Sequence, residues 1–308
     1  MRAVVVRKYG GPEALEIVEV PAPEPGPGQV RITVEAAAIN PVDLFIRGGG
    51  LLMHGAPARE QTGMGCDVVG VVEALGEDVT GVGVGDRVMA ASTWGGFNRD
   101  FGPYAEQAVI AVGELAPAPA EWPAEQAASL PLPGLTAWQC LDIVDLAKGS
   151  TLLVTGAAGG VGAMLVQLAA LRGLTVVALA RSSDEEYLRG LGAEHVVDDI
   201  AKVRDLLPEG VDAAVDPACL VQPAHDAVRD GGKFVAVVAN GSPEDGRDIA
   251  SQVMWAHSAR EQLDALVTLV DEGKVKIRVA GTLPLEQAAE AHARMAEGGL
   301  RGRLVLLP

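Results

Sequence analysis

Apolar residues change their spacing along the chain near residue 120. Upstream, residues 1–8 and 29–39 alternate or run with Val, Ile and Thr, which predicts short strands. Between them stands Pro21-Ala22-Pro23-Glu24-Pro25-Gly26-Pro27-Gly28, a rigid surface connection inside one domain, because strand-like sequence resumes at once. Glycines at 70, 76, 81, 83 and 85 punctuate the next stretch and predict short strands joined by tight turns. Ala116-Pro117-Ala118-Pro119-Ala120 is the best candidate boundary. Downstream, strands are expected over 150–155, 175–180, 195–198, 211–215 and 233–239, and helices over 162–172 and 184–191, the second closed by Gly192. Short buried runs alternating with helices predict βαβ units, a parallel sheet and right-handed crossovers. Ser258-Ala259-Arg260-Glu261 has capping-box spacing and predicts a helix to about Glu272, closed by Gly273. The tail 274–308 returns to strand, helix, strand.

Composition narrows the class. At about 150 residues per domain, 308 residues suggest two domains. With 49% hydrophobic and 21% charged residues the chain is too apolar to be disordered, and with 4% aromatics its core must be built from Val, Ala and Leu. A net charge of −17 without a Lys/Arg cluster argues against a nucleic-acid or anionic-membrane partner. Cys66, Cys140 and Cys219 are odd in number and widely spaced, which speaks against a disulfide framework and for a reducing cytoplasm. The uncharged stretch between Lys148 and Arg172 is long enough to span a bilayer, but Gly156, Gly159, Gly160 and Gly162 break it into strand, turn and helix.

That glycine cluster is the sharpest motif. In Leu152-Leu153-Val154-Thr155-Gly156-Ala157-Ala158-Gly159-Gly160-Val161-Gly162 an apolar strand runs through a glycine turn straight into a helix. Gly159 and Gly162 occupy the second and third positions of the G-x-G-x-x-G dinucleotide fingerprint, and Ala157 holds the first. The second position lets backbone approach a pyrophosphate, the third lets helix and strand pack closely, and the helix N-terminus faces the phosphates. The alternative is a tight turn in an α/β fold that binds nothing. The next strand ends Ala180-Arg181-Ser182, with no acid to hold a ribose 2′-OH, so Arg181 and Ser182 are candidates for a 2′-phosphate, against a solvated arginine at a strand end. A short-chain dehydrogenase is excluded, because Tyr9, Tyr104 and Tyr187 are followed at the fourth position by Glu13, Ala108 and Leu191 rather than by lysine.

Several segments together resemble the zinc-free quinone oxidoreductase (zeta-crystallin-like) branch of the medium-chain dehydrogenase/reductase superfamily. They are Ala38-Ile39-Asn40-Pro41-Val42-Asp43, Gly70-Val71-Val72, Gly85-Asp86-Arg87-Val88, Gly102-Pro103-Tyr104-Ala105-Glu106, Leu130 to Ala137, the glycine turn and Arg301-Gly302-Arg303-Leu304-Val305-Leu306. The resemblance implies a GroES-like β-rich substrate domain (1–119 and 274–308) and a Rossmann doubly wound parallel-sheet domain (120–273). It also implies a homodimer. Zinc-dependent relatives carry Cys where this chain has Asn40 and Gly-His-Glu where it has Gly65-Cys66-Asp67, and no third ligand type stands near Leu132-Pro133, so no metal is expected.

What the resemblance implies for function is hydride transfer from NADPH to a quinone or related conjugated carbonyl without metal, with NADH as an alternative donor. Asn40 would hydrogen-bond the acceptor oxygen and Thr136 would lie against the nicotinamide; a turn-capping Asn and a helix-capping Thr are the plain alternatives. The cofactor set is Asn40, Thr136, Gly156, Ala157, Ala158, Gly159, Gly160, Val161, Gly162, Arg181, Ser182 and Arg303. Asp198-Asp199 near the 2′-phosphate weakens the NADPH preference. Residues 51–62 and 92–101 are expected to line the substrate site. The rival reading is an enoyl or alkenal reductase on the same fold, which needs a proton donor at carbon such as Tyr104; a non-catalytic, crystallin-like NADPH-binding protein is the third.

Overall fold

The computed structural model describes residues 1–91, 101–237, 243–244 and 246–308. Most of the 92–101 stretch expected to line the substrate site, and the end of the strand expected over 233–239, lie outside the described residues. In chain order the first part runs β1 (Arg2–Val6), β2 (Leu15–Glu19), β3 (Gln29–Ala38), α1 (Pro41–Arg47), α2 (Gly50–Met53), β4 (Thr62–Gly63), β5 (Asp67–Leu75), β6 (Arg87–Ala91), β7 (Gln107–Ala111), β8 (Leu115–Pro117) and α3 (Ala124–Ala128). The middle runs α4 (Pro131–Val144), β9 (Thr151–Val154), α5 (Gly160–Leu171), β10 (Thr175–Leu179), α6 (Glu185–Gly190), β11 (His195–Val197), α7 (Lys202–Leu206), β12 (Val211–Asp216), α8 (Gln222–Asp226), β13 (Val228–Ala236) and β14 (Ala250–Val253). The last part is α9 (Arg260–Asp271), β15 (Val279–Pro284), α10 (Ala288–Ala296) and β16 (Arg303–Leu307).

The chain forms two compact units. The first comprises Met1–Leu132, His257–Asp271 and Arg278–Pro308, and the second Pro133–Ala256 and Glu272–Ile277. Residues 120–132 and α9 thus pack with the first unit, where the sequence assigned them to the second. The Pro-rich run at 116–120 is no linker: Leu115–Pro117 pairs with β6 as an edge strand, a place where proline's missing N–H does no harm. The first unit carries a three-stranded sheet (β2-β1-β4) and a larger sheet in the order β15-β16-β3-β5-β6-β8, with β7 also on β3. Strand β3 shows why: Val30, Ile32 and Val34 alternate inward with polar residues outward, and meet Val68, Val72, Val88 and Ile110 in one core.

The second unit is a six-stranded, all-parallel sheet in the order β11-β10-β9-β12-β13-β14. The chain steps outward from β9 to β11, returns to the centre, and steps the other way from β12 to β14. Its direction reverses between β9 and β12, and in open α/β sheets the crevice beyond the carboxyl ends of strands at such a reversal is where ligands bind. The uncharged 148–172 stretch divides into β9, the glycine turn and α5, and among the described residues no helix is long and apolar enough to cross a membrane. The Ser258 hydroxyl, just before α9, donates to the Ala91 carbonyl (2.8 Å) at the end of β6. Helix α4 starts on Pro131-Leu132-Pro133-Gly134, which suits a first turn, where proline's missing N–H has no partner to lose.

Helices α1 and α10, far apart in sequence, are joined by Arg47 and His292. The Arg47 guanidinium donates to His292 Nδ1 (3.2 Å) and to the Gly10 carbonyl (3.2 Å), and the His292 ring stands edge-on to Tyr104. A cation donating into Nδ1 forbids protonation there. Burial, and secondarily Arg47, hold His292 down to about 3. An unfolded imidazole titrates near about 6.5, so the native state binds fewer protons between these values. The stability this contributes is present above about pH 6.5 and lost as pH falls toward about 3. His292→Gln keeps an acceptor for Arg47 and titrates nowhere in this range. Thermal melts should show its melting temperature falling less between about pH 7 and about pH 4 than the unaltered protein's; equal slopes would remove His292 from the account.

Candidate functional site: a glycine turn at the sheet reversal and a buried polar cluster

The glycines of the turn after β9 answer different demands. Gly156 has φ +53°, a left-handed conformation that favours glycine. A Cβ on Gly162 would lie 2.3 Å from the Gly156 carbonyl oxygen and 2.7 Å from Ala157 Cα, so helix and turn meet there without room for a side chain. Gly159 is extended (φ −78°, ψ 176°) and a Cβ on it would meet only the Gly156 oxygen, at 3.2 Å. Apart from that one tight backbone contact, no described atom lies within 4 Å of the added Cβ. Helix α5 begins at Gly160, earlier than the spacing predicted, which puts Gly160, Val161 and Gly162 in the first turn, where helix geometry leaves N–H groups without intrahelical partners. The buried Ala157 ties the turn to the neighbouring strand end through its N–H to Leu179 O (3.1 Å), and Ala158 is half-buried beside it.

Beyond β10, Arg181 and Ser182 are exposed at the start of a single 3-10 turn, and among the described residues the Arg181 guanidinium makes no ion pair. The two acids that weakened a 2′-phosphate site are both engaged. Asp198 accepts from Lys202 Nζ at 2.5 Å, which lowers its pKa, and Asp199 accepts the Ala201 N–H at 2.9 Å. Thr136 lies within α4, nearly buried, and so does not cap that helix.

In the first unit Asn40, Tyr104 and Arg303 come together, though not as expected. Asn40, at the start of α1, donates its Nδ2 hydrogens to Ala38 O (3.3 Å) and Asp67 Oδ2 (3.0 Å), and its Oδ1 accepts from Arg303 (2.7 Å). The same Arg303 nitrogen pairs with Asp67 Oδ2 at 2.9 Å, and Asp67 Oδ1 accepts the Leu132 N–H at 2.7 Å. Tyr104 is fully buried and donates to Asp43 Oδ2 (2.8 Å), which also accepts the Asn40 N–H (2.8 Å), while the Cys66 thiol bonds the Asp43 carboxyl. Both Asn40 amide hydrogens are thus engaged, Arg303 is held in an internal ion pair, and the fully buried Tyr104 gives its proton to a buried carboxylate. Burial raises both acids, Asp67 to about 7 despite Arg303, and pushes Tyr104 well above the ordinary phenol value.

Sequence reasoning missed Asp43, Asp67, Thr155 and Asp216. Asp43 had a signal, three residues after an Asn-Pro helix start, the spacing of a reciprocal cap. Asp216 had one too, as an acid ending the apolar run of a strand in a parallel sheet.

Residues 26–120 match the family described as alcohol dehydrogenase GroES-like domain, and residues 191–306 the family described as zinc-binding dehydrogenase. A chloroplast envelope quinone oxidoreductase homolog of Arabidopsis thaliana is 33% identical over 100% of this chain and 98% of its own length. The chain belongs to the quinone oxidoreductase branch of the medium-chain dehydrogenase/reductase superfamily. A chloroplastic NADPH-dependent alkenal/one oxidoreductase of the same plant is 31% identical over 100% of this chain and 80% of its own length. Among solved structures, one described as an NAD-dependent alcohol dehydrogenase has TM-score 0.88 at 33% identity, with both chains fully covered. A mycobacterial protein complexed with NADPH has TM-score 0.87 at 28% identity, again with both chains fully covered. The architecture is accordingly GroES-like plus Rossmann-type.

The two cofactors this family implies fare differently. The donor set at the zinc position does not fit that metal: the Asn40 oxygen takes a guanidinium, Asp67 is paired with Arg303, and the Cys66 thiol is bonded to Asp43. Among the described residues no three of His, Cys, Asp and Glu gather as metal ligands. A dinucleotide fits the glycine turn, where Gly159 leaves a cradle that a Cβ would enter.

The turn makes a paired prediction. Gly162→Ala forces backbone apart and should cost more than about 2 kcal/mol of stability, read as a clear fall in melting temperature. Gly159→Ala should cost about 1 kcal/mol or less, yet weaken dinucleotide binding by about tenfold or more, by titration calorimetry. Equal behaviour of the two would mean that the turn is structural throughout.

Proposed function

We propose that the protein is a metal-independent reductase that uses NADPH, with NADH as the weaker alternative, to reduce quinones or related conjugated carbonyls. The observation that carries this reading is the open glycine turn at the reversal of the parallel sheet. In this reading the second unit holds the dinucleotide. Backbone N–H groups of residues 156–162 take the pyrophosphate, Arg181 and Ser182 take the 2′-phosphate, and Thr136 lies toward the nicotinamide end. The first unit is the substrate domain. When bound, the dihydronicotinamide supplies the hydride. Full-length similarity to quinone oxidoreductases and to an NADPH complex supports the same reading. We further propose a cytoplasmic homodimer acting on a small molecule, in keeping with three cysteines that form no disulfide.

Between quinone and enone, the structure's bearing is on the proton. Enone reduction needs a proton delivered to carbon, and the donor nominated for it, Tyr104, is buried on Asp43. Hydride addition to a quinone leaves charge on a phenol-like oxygen of pKa about 10, which solvent protonates readily. The alkenal/one relative keeps the enone as the second reading, and a non-catalytic NADPH-binding protein would bind without turnover across a quinone panel.

Two measurements test the proposal. Arg181→Ala should raise KM for NADPH about tenfold or more, because a charge-assisted bond worth about 1.5–3 kcal/mol is lost, and leave KM for NADH nearly unchanged. Equal effects would make Arg181 structural. In single-turnover quinone reduction, deuteride at C4 of the cofactor should slow hydride transfer while deuterated solvent leaves it nearly unchanged. A large solvent isotope effect would favour the enone reaction.

A further inference from the structure

The reversal point of the parallel sheet has two sides, and the glycine turn is only one of them. The other is the loop 217–221 that leaves β12. Its five residues, Pro217-Ala218-Cys219-Leu220-Val221, are all apolar, yet Ala218 and Leu220 are exposed and the others only half-buried. Two of them, neither glycine, have left-handed backbone, Cys219 at φ +57° and Val221 at φ +56° with ψ −99°. A β-branched residue in that region is a genuine outlier, held only where surrounding contacts dictate it. What dictates it here is Asp216. This fully buried carboxylate accepts the Val221 N–H on Oδ2 (2.8 Å) and the Thr155 hydroxyl on Oδ1, and the Thr155 oxygen in turn accepts the Ala218 N–H (3.1 Å). One acid thus fastens the strained loop to the residue that opens the glycine turn. The fit is close, since a Cβ on Gly156 would lie 3.2 Å from Ala218 Cβ.

We infer that Asp216, acting through Thr155 and Val221, is a positioning residue that holds loop 217–221, the far wall of the crevice at the sheet reversal, in register with the glycine turn. The inference rests on the cofactor reading above and extends it to residues outside the fingerprint and the 2′-phosphate site. A loop placed only to connect β12 with α8 would relax to ordinary backbone. This one is kept in a costly conformation, with apolar side chains facing outward beside the glycine turn, as an apolar wall for the cofactor's sugars and rings requires.

The test uses the full chain, NADPH as the probe, fluorescence titration for affinity and thermal melts of the unliganded protein. Asp216→Asn keeps the shape of the side chain but cannot serve both donors as an anion. Val221→Gly frees the loop, with strain relief and the greater chain entropy of glycine largely offsetting in stability. Both variants should weaken NADPH binding by about tenfold, while kcat at saturating NADPH stays within about threefold and the melting temperature of Val221→Gly stays within about 3 °C of the parent. Affinity in Val221→Gly within about twofold of the parent would overturn the inference, as would affinity losses that merely track losses of melting temperature in both variants. Should Asp216→Asn fail to fold, Val221→Gly and Cys219→Gly decide by the same criteria. If the unaltered protein binds neither NADPH nor NADH, the cofactor reading itself falls, and the wall with it; parent binding with unchanged variants removes the wall alone.

Discussion

The first unit exists because Arg303 reaches Asp67. The two residues are 236 positions apart in sequence, both are almost fully buried, and their pair takes in Asn40 at the start of α1 and the Leu132 N–H at the start of α4. Strand β16 enters the large sheet only after the whole second unit has been laid down, so the pair closes a unit interrupted by another. Removing one partner of such a buried pair leaves an uncompensated charge and typically costs about 3–5 kcal/mol, whereas the intact pair adds little over apolar packing. Its value is therefore specificity of connection: only one arrangement of the chain's two ends satisfies Asp67, Asn40 and Arg303 together. Contacts of such long sequence separation also form late, since loop closure must precede their reward.

The same cluster shows how a position can keep its place and lose its chemistry. Zinc-dependent relatives hold metal where this chain has Asn40 and Cys66. Here the place is filled by two carboxyls, one guanidinium, an amide, a thiol and a phenol that bond one another, with Asp43 Oδ1 and Arg303 Nε left buried without a hydrogen-bond partner among the described residues. Burial raises both acids, and Arg303 opposes it. Turning one of the engaged donors outward would leave another buried acceptor unpaired. In the proposed metal-independent reading, orientation and exclusion of water suffice for the chemistry.

What could be read from the sequence, and what could not, follows from this division. The glycine turn was legible because its requirements are backbone requirements, and glycine is the only residue that meets them at 156 and 162. The parallel sheet was legible from apolar runs of strand length, and its doubly wound order only from the family resemblance. Asn40, Tyr104 and Arg303 were each singled out, but not their internal partners, since residue type says that a hydroxyl or guanidinium must have a partner and not which one. Asp43, Asp67 and Asp216 supplied those partners, and an acid in a sequence looks the same whether it faces water or a buried arginine. Helix α4, which begins on Pro131-Leu132-Pro133-Gly134, was not foreseen.

Net charge poses the last question, because a chain of charge −17 is proposed to bind an anionic dinucleotide. The long-range field opposes approach, but at physiological salt it is screened over about 8 Å. What acts within that distance is local. The first-turn N–H groups of α5 are fixed partial positive charges that need no lysine. Arg181 adds a full charge at the end of β10, and Lys202 neutralises Asp198 on the neighbouring strand end. On the other side the acid nearest the turn, Asp216, faces inward and accepts two donors, so it shapes the crevice instead of presenting bare charge to it. Composition thus argues against partners that need an extended basic surface, while in the proposed reading the affinity for one small anion is set by a handful of backbone dipoles and by where each neighbouring acid points.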